Sequence, residues 1–371
     1  MTRRFHYIDW LRVLAVLLLF PFHTSRVFNF GEPFYIKSAE LSQALNYGIA
    51  FIGGWHMPLL FMLAGASAFL ALAKRKPGRF VDERFTRLGI PLLFGILVLL
   101  PPQTYIGARF NSGYMQSAWH YIVSLDFLRW NIQPAGDYYG GFGVGHLWFI
   151  LFLLLISLIA LPFLLWARGE RGSKRVAGWS RALARPVWWL LPPVVIFLAD
   201  AAPAIAGKNL IYYLVFFVFG AIGMADDAFA EAAERHTAVA LVLGVALGVA
   251  HVATGGLRDA LPDPSWPLAA VNYLGMLGGW LMLIGLLGAG RRYLDAPSPT
   301  LSYLAEASYP VYILHQTVIV VLAALIVRAP IGGVAQWLAI LALSVVVTFA
   351  LYEGVRRVDR LRYLFGMRSA K

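Results

Sequence analysis

Residues 7–23 read YIDWLRVLAVLLLFPFH, a run whose only ionisable side chains besides Tyr7 are Asp9, Arg12 and His23. A lipid span needs about 20 apolar residues, because the hydrocarbon layer is roughly 30 Å thick and a helix rises about 1.5 Å per residue. Continued to about residue 28, the stretch is that long. Lipid offers backbone amides no hydrogen-bond partners, so the run is predicted to be a helix. It has the basic start and apolar centre of a signal peptide, but no small-residue cleavage site follows Phe22, and it reads as a retained helix.

Working outward, the same criterion predicts ten spans, at about 8–28, 46–73, 88–107, 146–166, 187–203, 209–225, 237–254, 268–289, 304–327 and 334–355. The composition agrees. Of 371 residues, 60% are hydrophobic and 13% charged, against roughly 45–50% apolar and about 25% charged in soluble domains. The short alternating segments of a membrane β-barrel are absent. The expected fold is therefore an all-α integral membrane protein, a bundle of about ten transmembrane helices forming a single domain over 1–371. No soluble segment is long enough to stand alone, and no 20–50-residue repeat is evident.

Charge sets the orientation. An even number of spans puts both ends on one side, and positive charge accumulates in the cytoplasmic loops. With the N-terminus inside, 23 of the 31 Lys and Arg fall inside and seven outside, with Arg12 in the first span. The prediction is N-in and C-in. The net charge of +12 is thus spent on topology in short basic blocks, and no nucleic-acid motif accompanies it. The absence of cysteine removes disulfides, a thiol nucleophile and thiolate-bound zinc. The longest outer loop, about 108–145, is rich in aromatics and glycine and is expected to cap a cavity with a re-entrant or interfacial piece. Gly244 with Gly248, and Gly275 with Gly279, are spaced for close helix packing.

Ionisable groups inside a span are costly and face a cavity or a partner. Arg12 and His23 are eleven residues apart, close to three helical turns, so they project from one face roughly 16 Å apart along the axis. One face then offers a cation towards the cytoplasm and a titratable base towards the far side, with Pro21 loosening the backbone between them. The competing reading has Arg12 snorkelling to the inner headgroups and His23 packed and hydrogen-bonded. Arg84 and Arg87 are three apart at the start of the third span and form either a phosphate clamp or an ordinary basic flank. His56, His146 and His315 fall at outer or middle depth, but no HExxH or comparable pair is present and no metal site is expected. No GxSxG elbow appears either. Asp9 and Glu353, near the inner ends of their spans, are the expected carboxylate partners for Arg12.

In order and spacing, YIDWLRVLAVLLLFPFH, HMPLLFMLAGASAFL, RFTRLGIPLLFG, PPQ, GHLWFILFLLL and SYPVYILHQ resemble the acyltransferase-3 family of membrane O-acyltransferases, in particular its glucan biosynthesis protein C branch. The resemblance runs over nearly the whole chain. It implies a ten-helix bacterial inner-membrane enzyme, multi-pass, that moves an acyl group, acetyl or succinyl, from cytoplasmic acyl-CoA to a hydroxyl of an extracytoplasmic carbohydrate or glycoconjugate. The family's Arg or Lys, ten residues, then His pattern is met by Arg12 and His23, and its RxxR pattern by Arg84 and Arg87. His23 is then the expected general base, with Arg12, His315 and Glu353 completing the catalytic set. Arg84 and Arg87 are expected to hold the phosphates of acyl-CoA, and His146, Trp148 and Tyr309 to contact substrate. Acyl-CoA enters as donor substrate rather than as a bound cofactor, and the partners are that donor, the acceptor and the bilayer, with no nucleic acid. The competing class is a transporter or flippase for an acylated or glycosylated substrate, which the absence of internal symmetry disfavours.

Overall fold

The computed structural model describes residues 5–129, 136–205 and 207–368. Arg3, Arg4 and Lys371, counted among the inner charges, lie outside these residues. Every extended element among the described residues is a helix, and the one β-bridge joins Ile205 to Lys208. We number the helices α1 (His6–Phe28), α2 (Gln43–Leu72), α3 (Pro77–Asn111), α4 (Ala118–Val123), α5 (Gly145–Ile159), α6 (Leu161–Arg168), α7 (Glu170–Leu183), α8 (Pro186–Asp200), α9 (Leu210–Gly223), α10 (Asp227–Arg235), α11 (Thr237–Ala253), α12 (Gly255–Ala260), α13 (Trp266–Leu294), α14 (Pro299–Ile326), α15 (Gly333–Val355) and α16 (Asp359–Leu364).

Six of these, α1, α2, α3, α13, α14 and α15, are long and apolar enough to cross a membrane. Three bent pairs raise the count to as many as nine: α5 with α6 at 49°, α7 with α8 at 95° and α9 with α10 at 100°. The run expected at 237–254 is α11, an apolar helix of 17 residues. The protein is a multi-pass membrane protein. The interruptions have local causes: Pro162 stands at the start of α6, where it lacks an amide proton and crowds the preceding turn. In α3, two π-helical stretches, Phe85–Gly89 and Gly95–Leu99, precede Pro91 and Pro101. A widened turn accommodates the carbonyls that a proline cannot satisfy.

The chain divides into two compact units. The first comprises Met1–Ala15, Ala50–Asp82 and Leu155–Ser302. Its tightest crossing is between α2 and α9. A Cβ on Gly65 would stand 1.8 Å from the Phe217 carbonyl oxygen, and one on Gly220 would stand 1.9 Å from that of Met62. The glycine spacings in α11 and α13 also mark close approach: a Cβ at Gly244 would meet the Met282 backbone nitrogen at 2.7 Å. On α10, Asp227, Glu231 and Glu234 surround the Arg291 guanidinium at 3.9, 3.7 and 2.9 Å.

The second unit comprises Val16–Ile49, Glu83–Leu154 and Tyr303–Lys371. Its longest loop, described over 112–129 and 136–144, is packed rather than open. Ala108, Tyr121 and Phe127 form a buried cluster flanked by Tyr105 and Tyr114, and the Tyr121 hydroxyl donates to the Gly140 carbonyl at 2.7 Å. The loop includes the short helix α4, capped by Ser117. At the other end α16 is followed by Gly366, whose φ of +65° favours glycine and where a Cβ would lie 2.6 Å from the Arg87 carbonyl oxygen. That carbonyl is the one Pro91 cannot satisfy within the helix.

Candidate active site

Three histidines from three separate stretches meet inside the second unit. The His23 ring of α1 lies 5.1 Å from that of His315 in α14, and His315 lies 5.3 Å from His146 at the start of α5. His146 and His315 are buried. Two backbone carbonyls on α14 fix their tautomers. His146 Nε2 stands 2.9 Å from the Ile313 carbonyl oxygen and His315 Nδ1 stands 2.6 Å from that of Tyr312. A carbonyl only accepts, so in the neutral rings Nε2 of His146 and Nδ1 of His315 carry the protons. The lone pairs are left on Nδ1 of His146, which is buried and has no hydrogen-bond partner among the described residues, and on Nε2 of His315. The Tyr312 hydroxyl donates in turn to the His146 carbonyl, so the start of α5 and the middle of α14 hold each other in register.

A cluster of aromatic and charged side chains surrounds His23. The Phe34 ring lies nearly parallel to it, at 6.4 Å and 17°, and the Arg26 guanidinium sits 5.7 Å over Phe34. Arg26 also pairs with Glu32 at 3.1 Å and donates to the Pro33 carbonyl at 3.0 Å. Tyr138 packs against both Phe34 and Tyr35. The Tyr35 hydroxyl donates to the buried carboxyl of Asp137. Burial raises the Asp137 value above the usual carboxylate range, and burial followed by the Asp137 charge raises that of Tyr35. Lys37, which donates to the Arg26 and Asn29 carbonyls and to Asn29 Oδ1, is lowered to about 8, by burial first and then by Arg26. None of these residues was among the expected site set. Arg26 carried a signal, since it stands three residues after His23 on the same helix. Phe34, Tyr35 and Asp137 lie in irregular segments, where periodicity has nothing to report.

The remaining expected residues are placed as follows. Arg12 belongs to the first unit. Its guanidinium contacts Asp9 at 3.1 Å and Ser67 Oγ at 2.8 Å. Asp9 is thus the carboxylate expected beside it. Glu353 is held by Arg356 at 3.2 Å, Arg357 at 3.7 Å and the Tyr303 hydroxyl at 2.9 Å. Arg84 ends the first turns of α3 and Arg87 lies in the π-helical stretch that follows. Both are half-buried, and Tyr309, whose hydroxyl is buried, feels the Arg84 charge. Trp148 packs edge-on against Phe152 at 5.5 Å. His56 belongs to the first unit and donates from Nε2 to the Ala15 carbonyl at 2.7 Å. Beside His315, Gln316 donates to Gln103 Oε1 at 3.1 Å and Gln103 to Thr317 Oγ1 at 2.7 Å, a polar relay of three side chains outside the expected site set. Among the described residues no group of three or more His, Asp or Glu is arranged to hold a metal ion.

A histidine row buried in a membrane bundle, with lone pairs oriented by carbonyls, is equipped for proton transfer and for hydrogen bonding to a hydroxyl. The family model for the acyltransferase domain matches residues 5–353, and the chain belongs to this acyltransferase-3 family. It is a membrane acyltransferase. The chain is 23% identical over 382 aligned positions to glucans biosynthesis protein C of Salmonella heidelberg (strain SL476), covering 98% of this chain and 94% of the relative. The same figures hold for the proteins of that name from Salmonella schwarzengrund (strain CVM19633) and Salmonella enteritidis PT4 (strain P125109). No solved structure matches the chain.

Proposed function

We propose that this enzyme moves an acyl group, acetyl or succinyl, from cytoplasmic acyl-CoA to a hydroxyl of an extracytoplasmic carbohydrate or glycoconjugate, in a bacterial inner membrane crossed ten times with both termini in the cytoplasm. The observation that carries the reading is the meeting of His23 with His315 and His146 beneath the aromatic cluster of the outer loop. The relatives' name, which refers to glucan biosynthesis, supports a carbohydrate acceptor.

In the reaction, the acceptor oxygen attacks the thioester carbonyl carbon, the C–S bond breaks, and the hydroxyl proton passes through His23 to the departing CoA sulfur. An imidazole suits this, because its unperturbed pKa of about 6.5 lets it take and return a proton near neutral pH. His315 stands beside His23 and, when a second proton occupies its Nε2, stabilises the charge that develops on the carbonyl oxygen. Arg84 and Arg87 hold the donor's phosphates by charge-assisted hydrogen bonds. His146, Trp148 and Tyr309 contact substrate, and Glu353 steadies the inner end of α15 through its arginine pairs.

The test is release of free CoA by the purified protein given acyl-CoA and acceptor together. His23→Ala is expected to abolish release at normal abundance and thermal midpoint, and the Arg84→Ala, Arg87→Ala double variant to raise KM for donor far more than for acceptor. Full turnover by His23→Ala removes it as base. A double variant that loses only abundance assigns the arginines to topology. Substrate movement without CoA release would make the protein a transporter.

A further inference from the structure

The proposed reaction uses few of the 31 Lys and Arg, and one basic face elsewhere in the molecule has the form of a binding surface. It belongs to α7 in the first unit. Gly172, Val176, Ser180 and Leu183 are the buried residues of this helix, spaced by four, four and three, and so form one face. That face is firmly seated. A Cβ on Gly172 would lie 1.8 Å from the Trp166 carbonyl oxygen of α6, Ser180 Oγ donates to the Asp226 carbonyl at 3.1 Å, and Arg181 pairs with Asp226 at 2.8 Å.

The flank beside this face and the far side of the helix are exposed and basic. Arg171, Arg175 and Trp179 are four apart and lie along one line of the helix, with Lys174 beside them. Arg171, Lys174 and Arg175 are exposed, and none of the three forms an ion pair among the described residues. Trp179, 46% exposed, packs against Trp166, 37% exposed, with ring centroids 5.7 Å apart. The helix meets α8, its partner in a candidate span, at 95°. With α8 crossing the bilayer, a helix at right angles to it would lie in the membrane plane, where tryptophan and basic side chains are favoured.

We propose that the Arg171–Lys174–Arg175–Trp179 ridge of α7 docks the headgroups of anionic phospholipids. The charge is complementary: three uncompensated cations face the phosphate layer, while the two indoles settle at the boundary between headgroup and chain. Each basic side chain near an anionic surface contributes about 1 kcal/mol, or roughly a fivefold gain in affinity. The ridge does not depend on the acyl-transfer reading, since lipid selectivity is measured without substrate.

The full-length protein is reconstituted in phosphatidylcholine bilayers, and spin-labelled phosphatidylglycerol and phosphatidylcholine report the fraction of lipid immobilised on it. The wild type is expected to prefer phosphatidylglycerol. The Arg171→Gln, Lys174→Gln, Arg175→Gln triple variant is expected to lose that preference by roughly fivefold or more, and the wild type is expected to lose it at about 1 M salt, where the screening length is near 3 Å. Should the triple variant not fold, Arg175→Gln alone carries the test, with a loss approaching fivefold. A wild type indifferent to headgroup charge, or a folded variant with its preference intact, overturns the proposal. Loss of preference on adding inorganic phosphate at constant ionic strength also overturns it, and makes the ridge a free-phosphate site.

Discussion

Phe34 touches the two groups of opposite character that define the outer end of the site, the His23 ring and the Arg26 guanidinium. It is 1% exposed, so truncation removes packing as well as ring contact, and Phe34→Ala is expected to cost about 3–5 kcal/mol. Phe34→Leu separates the two effects. It keeps most of the volume and is expected to lower the thermal midpoint only slightly while reducing kcat through a less constrained His23. A variant with unchanged kcat would make Phe34 a packing residue. Lys37 gives a prediction in pH. Its ammonium sits at about 8 in the folded protein against 10.5 in water, so between those values the unfolded chain binds the extra proton. Stability therefore rises with pH across that window, because folding penalises the charged form. Lys37→Met is expected to flatten that rise in thermal unfolding measured in detergent; an unaltered slope assigns it to other groups. At this scale the sequence reads only near neighbours. The Arg12–Asp9 pair was legible because both residues fall near the same end of one span, where a carboxylate offsets the buried cation. Phe34 and Asp137 were not, since they lie in irregular segments whose course follows from what they pack against.

At the scale of elements, glycine and proline set how close helices come and where they break. The Gly65–Gly220 crossing brings two backbones together with no room for a methyl group. Gly220→Ala places a carbon against a carbonyl that cannot rotate away, and is expected to cost about 1–3 kcal/mol or more, read as a lower thermal midpoint and yield. Gly248→Ala is the control. There the nearest atoms belong to the Phe51 ring at 2.9 Å, which has freedom to shift, so the loss is expected to be smaller. Equal losses would show that the rigid carbonyl contact does not set the cost, since helix propensity favours alanine at both positions. Sequence spacing pointed to close packing at Gly244 and Gly275 but not at Gly65 or Gly220. The latter pair is formed between helices distant in sequence, and neither position carries a small-residue spacing with its own neighbours that had drawn notice.

For the whole molecule, the orientation is the property on which donor and acceptor sides depend. The chain has no cysteine, so single substitutions report topology without a background. Ser124→Cys in the outer loop and Ser173→Cys on α7 are both at exposed positions. In intact cells an impermeant maleimide is expected to label the first and spare the second until the membrane is opened. The reverse pattern would invert the orientation and with it the assignment of Arg84 and Arg87 to the donor.

Hydropathy and charge are properties of short segments, so the sequence by itself determined that this chain is helical, lives in lipid and carries its positive charge in a few blocks. The order of its motifs placed it with the acyltransferases. Only the tertiary structure decided which side chains meet. His146 and the Ile313 carbonyl are 167 positions apart, and the proton on Nε2 follows from that contact alone. A residue's chemistry is written in its side chain, but its tautomer, its partners and its exposure belong to whatever the fold packs against it, and no local pattern encodes that.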